Sequence, residues 1–176
     1  MEHKAFVFDF DGFTRELEGI LLEALETDDV SGLKSFINDN LESLKDPYEG
    51  EPLDSDYESM MESKDVETFG DFALTKYYDP QEDIGLGYEW DIADKLPENS
   101  FQNGSPILGT PLGTAPAIFD PGKMGSYFQS ASLVAENLNS LNSISPENSA
   151  DSAFLESAIE MLENAKVADR GLYITF

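Results

Sequence analysis

Residues 5–10, Ala5-Phe6-Val7-Phe8-Asp9-Phe10, put Phe6, Phe8 and Phe10 on one side of the chain and Val7 and Asp9 on the other. A period of two marks a half-buried strand. The stretch Leu172-Tyr173-Ile174-Thr175-Phe176, released by Gly171, has the same apolar, β-branched and aromatic character. Strands at both ends predict a small, mostly antiparallel sheet that includes both termini.

Between those strands the apolar period changes to that of helices. Leu17, Ile20, Leu21, Ala24 and Leu25 recur at helical spacing behind Thr14, a candidate cap, with Glu16 and Glu18 in the first turn. After the break Thr27-Asp28-Asp29, a second stripe runs through Val30, Leu33, Phe36, Ile37, Leu41 and Leu44. So short a break predicts a helical hairpin. Leu133, Val134, Leu138 and Leu141, after Ser130, predict a third helix. Phe154, Leu155, Ala158, Ile159, Leu162 and Ala165 predict a fourth, starting near Ser149 or Asp151. Residues 1–176 therefore read as one α+β domain with two helical hairpins.

Two stretches depart from both periods. Residues 46–67 hold nine acids against Lys64, with Pro47 and Pro52, and read as an acidic loop with a short helix near Tyr57, Met60 and Met61. Residues 97–126 carry five prolines and five glycines and read as a Pro/Gly-rich loop. In it, Pro106-Ile107-Leu108 and Ala117-Ile118-Phe119 are candidate short edge strands, and Asp120–Gly125 a tight turn before the third helix. Between these stretches, 69–78 and 84–90 flank Asp79-Pro80-Gln81-Glu82-Asp83 as a strand–turn–strand. Helical spacing of Val66, Phe69, Ala73 and Tyr77 competes with the first of those strands.

Composition excludes much chemistry. Thirty-six acids against 10 bases give a net charge of −26, which repels nucleic-acid phosphates and anionic membranes. The chain has no cysteine, so disulfides, thiol nucleophiles and thiolate metal sites are absent. His3 is the one histidine, placed on an N-terminus expected to fray, so zinc hydrolases and Ser-His-Asp triads are excluded. No signal-peptide pattern opens the chain and no run is long enough for a membrane span, so a cytoplasmic location is expected. Gly85-Leu86-Gly87 and the glycines at 109 and 113 lack the helix and lysine of a phosphate loop.

Phe6-Val7-Phe8-Asp9-Phe10-Asp11-Gly12 resembles the first motif of the haloacid-dehalogenase phosphatase superfamily, an apolar strand ending in Asp-x-Asp-Gly. The resemblance implies Asp9 as nucleophile and Mg²⁺ ligand, Asp11 as general acid/base, and a doubly wound parallel sheet. It spans about seven residues. Phe13 replaces the usual small polar residue, Phe119-Asp120 offers one acid where the family has two, and repeated βα units are lacking. The same residues also fail as a calcium loop: Asp9, Asp11, Gly12 and Glu18 fit positions 3, 5, 6 and 12, but Val7 occupies position 1.

The acids suggest a different use. Residues 46–98 hold 17 acids against three lysines, interleaved with aromatic and methionine side chains. Such a surface suits docking on a basic protein without catalysis or cofactor, as inhibitors, immunity proteins and protein mimics of DNA do. The expected contacts are Asp54, Asp56, Tyr57, Glu58, Glu82, Asp83, Glu89 and Trp90. The other two readings are a Mg²⁺ phosphatase on Asp9 and Asp11, and a structural module whose charge only keeps it soluble.

Overall fold

The strand at the N-terminus forms as β1 (Lys4–Phe8) but stops two residues earlier than its aromatic period. Asp9 ends it: its carboxylate accepts the Gly12 amide at 3.1 Å and opens α1 (Phe10–Glu16). Phe10 is therefore helical, and Thr14 lies inside that helix rather than capping one. A main-chain step at Leu17 leads into α2 (Glu18–Thr27), which ends at Asp28 in the left-handed region (φ 57°). Then come α3 (Ser31–Asn40) and α4 (Val66–Leu74), capped by Asp65 through the Thr68 amide at 2.9 Å. The helical period of Val66, Phe69 and Ala73 thus prevails over the strand expected for 69–78. This computed structural model describes residues 1–90 and 105–176. The start of the Pro/Gly-rich stretch (97–104) and the acids Asp91, Asp94 and Glu98 lie outside the described residues.

From residue 105 onward, the 106–108 segment is a turn, and β2 (Gly113–Thr114) pairs with β3 (Ala117–Ile118) as a minimal hairpin. The turn expected over 120–125 forms, with the Lys123 amide donating to Asp120 O at 3.0 Å, and the unexpected strand β4 (Ser126–Gln129) follows it. Ser130 caps α5 (Ala131–Asn142) through the Leu133 amide, and Asn148 caps α6 (Ser149–Val167) through two amides at 3.0 Å. β5 (Gly171–Thr175) closes the chain. The sheet order is β1-β5-β4, antiparallel throughout, with the C-terminal strand at its centre. The fold is α+β with both terminal segments in one sheet, not the parallel sheet implied by the phosphatase resemblance.

Strand alternation sorts the side chains into two cores. Phe6, Phe8, Tyr173 and Phe128 face the α1–α4 layer; Ala5, Leu172 and Ile174 face the α5–α6 pair. Register places Phe6, Tyr173 and Phe128 side by side across all three strands, with centroids 6.3 and 5.1 Å apart. Each ring buried from water contributes roughly 1.5–3 kcal/mol, so this rung is a principal anchor of the first layer.

Both sheet edges are covered by irregular backbone, which blocks edge-to-edge pairing. Of residues 84–90, expected as a strand, 84–87 run as an arm along β1: the Ile84 amide donates to Ala5 O at 2.8 Å, and His3 and Gly87 exchange two bonds. Gly85 has no room for a Cβ against His3 and Ala5, which is why glycine is needed there. Thr110 pairs similarly with Phe128 on the other edge. His3 is fully buried rather than frayed. Its Nε2 lies 2.8 Å from Ile107 O, and its Nδ1 accepts the Leu86 amide at 3.2 Å. Those two bonds fix the neutral Nε2–H tautomer and tie arm, strand and 106–108 turn together.

Candidate docking surface and the Asp71 cleft

Acidic residues of the two expected segments divide into structural and free groups. Asp46 is buried and accepts the Tyr48 and Glu49 amides at 2.7 and 2.9 Å, closing a turn. Asp54 accepts the Asp56 amide at 2.7 Å in the same manner but stays exposed. Glu58 sits between Lys64 and Lys34 at 3.1 and 3.2 Å, and these two ammonium groups lower its pKa. Asp83 holds the arm, accepting from Gly85 and Ala5 at 2.8 and 3.1 Å. Glu49, Glu51, Asp56, Glu82 and Glu89 are exposed. Tyr57 is only 2 % exposed, so it belongs to the core and offers a partner no surface. Trp90 is half-buried; its indole donates to Met1 O at 3.0 Å and its ring packs on Phe176.

The two acidic segments meet. Gln81 reaches the Glu49 carbonyl, and Lys45, just before the first segment, pairs with Asp79 of the second at 2.6 Å. Pro47 and Tyr48 of the first segment and Pro80 of the second line a cleft of about 210 Å³ together with Lys4 and Phe176. Phe176, which lines the cleft, meets the Trp90 ring edge-on with centroids 4.8 Å apart.

Asp71, a residue the sequence reading passed over, lies in that cleft. It comes from α4, whose other buried residues are apolar apart from Gly70, so its carboxyl is carried into the interior by its neighbours. Phe6, Tyr78 and Tyr173 line the same cleft, the two tyrosine rings 5.3 Å apart. Burial dominates its titration. Although the nearby Tyr48 hydroxyl favours its ionised form, burial and the nearby Asp46 and Glu67 charges raise its pKa to about 7. Tyr48 is 73 % exposed as a whole. Desolvation of its phenol, then the Asp71 and Asp46 charges, push its pKa up to about 12. The signal in the sequence was a lone acid inside the apolar run Phe69–Leu74.

Asp9 and Asp11 are differently placed. Asp9 caps α1 and pairs with Arg170; burial pulls its pKa up, but the guanidinium and the Gly12 amide prevail and leave it lowered. Asp11 is exposed in the first turn of the same helix. Beside Asp9, a shallow concavity of about 350 Å³ gathers Lys45, Lys76 and Arg170, each already tied to a carboxylate. Among the described residues no three His, Asp or Glu side chains form a group that could hold a metal ion. Nor, among them, is any helix long and apolar enough to cross a membrane. Compared with protein-family models, curated proteins and solved structures, the chain matches none.

Proposed function

We propose that this chain is a non-enzymatic acidic binding protein that docks on a basic protein partner, in the manner of an inhibitor, immunity protein or DNA mimic. One observation carries the proposal: the acidic segments also hold large exposed apolar side chains, Tyr48 (73 %), Met60 (44 %) and Tyr88 (72 %). Solubility requires the carboxylates alone. Aromatic and methionine side chains among them supply the desolvated anchors that affinity requires. The contact set is Tyr48, Met60 and Tyr88 as anchors with Glu49, Glu51, Asp54, Asp56, Glu82, Glu89 and Trp90, the carboxylates steering a cationic face into place.

The test is a tagged capture from the source cell's lysate at low and high salt, followed by reconstitution with the purified partner. One basic protein should bind in a defined stoichiometry and be released by salt. Asp54→Asn, Asp56→Asn and Glu82→Gln together should slow its association about tenfold, because removal of steering charges acts mainly on encounter. A nonspecific spread of basic proteins, or a partner indifferent to these three substitutions, would overturn the proposal. The phosphatase reading has weaker support, since Asp9 is engaged by Arg170 and α1.

A further inference from the structure

We infer that the cleft around Asp71 is a receptor for one alkylammonium group, taken in the proposed complex from a lysine side chain of the basic partner. The inference rests on the docking proposal for its occupant, but its geometry is independent of it. Asp71, 7 % exposed as a residue, lines with Phe6, Tyr78 and Tyr173 a cavity of about 210 Å³ whose wall also includes Pro47 and Tyr48 of one acidic segment and Pro80 of the other. A buried carboxylate is costly without a cation, and aromatic rings attract an ammonium that has left water. Pro47, Pro80 and Pro121 supply apolar walls for methylene groups.

Every charge around Asp71 bears on this. Asp46 and Glu67 add negative potential, as does Glu62 near Tyr48. Tyr78 and Tyr173 are held neutral, their pKa values raised by burial. Lys4, exposed at the mouth, opposes an incoming cation but forms no ion pair with Asp71. No hydrogen bond of 3.5 Å or less reaches the Asp71 carboxylate from the Tyr48 hydroxyl, which lies near enough to favour its charged form. An arriving ammonium would give that carboxylate a charge-assisted hydrogen bond and displace any proton held on Asp71.

The probe is n-butylammonium chloride, titrated into the intact chain while the Asp71 carboxyl and the Tyr48 and Tyr78 rings are followed by NMR. Saturable shifts at those groups are expected, absent with n-butanol and with sodium chloride. With Asp71 titrating at about 7, affinity at pH 6 should be about tenfold weaker than at pH 8. Asp71→Asn, close in shape, should abolish the saturable shifts, and the wild-type pH series carries the test if that variant fails to fold. Non-saturating shifts, or affinity unchanged between the two pH values, would overturn the inference. Partner capture without butylammonium binding would remove the cleft's role alone; butylammonium binding without partner capture would remove the docking proposal alone.

Discussion

Tyr57 stands between two acids, Asp56 and Glu58, yet its ring shares a core with Leu53, Val66 and Phe69, and its hydroxyl has no hydrogen-bond partner. A buried hydroxyl left unpaired costs roughly 1–3 kcal/mol. Tyr57→Phe is therefore expected to stabilise the fold by about 1 kcal/mol, read as a higher urea midpoint with an unchanged slope. Partner affinity should not change, and a lowered midpoint would reveal a bond to that oxygen. Tyr57 and Asp71 mark the limit of what single residues disclose. An acidic neighbourhood reads as surface and an apolar run as core, but the odd residue in each takes its environment from packing. Asp54, Asp56, Glu82 and Glu89 were legible as exposed carboxylates; Asp71, on which the cleft depends, was visible only as an exception to the apolar pattern of α4.

At the scale of elements, legibility follows the distance between cause and effect. α2, α3, α5 and α6 were readable because their periodicity and breaks, and for α5 its cap, lie within a few residues. β4 was not, since Tyr127 and Phe128 become a strand only by pairing with β5 far along the chain. The 84–87 arm was half legible: its extended character showed, but not that it covers β1 through His3 and Asp83. That junction should respond to pH. Burial holds the His3 pKa below 6.5 against the raising pull of Ile107 O and Asp83, so the folded state favours the neutral ring. Its contribution to stability is complete above the unfolded value of about 6.5 and is lost as pH falls below it. A proton on Nδ1 would face the Leu86 N–H, donor against donor. Amide exchange at His3 and Gly87, corrected for intrinsic rates, is expected to be faster at about pH 5.5 than at about pH 7.5 relative to β5. Equal protection at both values would show that the arm does not depend on His3.

For the whole molecule, the charge of −26 acts on stability and on binding with opposite signs. Arg15, Lys34, Lys45, Lys64, Lys76 and Arg170 are each engaged by a carboxylate, but acids outnumber bases more than threefold, so repulsion among the remainder opposes the compact state. Salt shortens the range of that repulsion from about 10 Å at 0.1 M to about 3 Å at 1 M. The ion pairs are mostly exposed and lose little when screened. The melting temperature is therefore expected to rise with sodium chloride, while affinity for a basic partner falls. Substituting Asp54, Asp56 and Glu82 by their amides should imitate salt in both respects. It should raise stability at low salt by about 1 kcal/mol, or about 2–4 °C for a chain of this size, and weaken association. If the triple variant were less stable at low salt, those carboxylates would be making local bonds worth more than their mutual repulsion. Should stability rise without any loss of affinity, the carboxylates would serve solubility and the partner would dock elsewhere. Calorimetry and binding measured on one salt series separate these outcomes, because folding and docking draw on the same field in opposite directions.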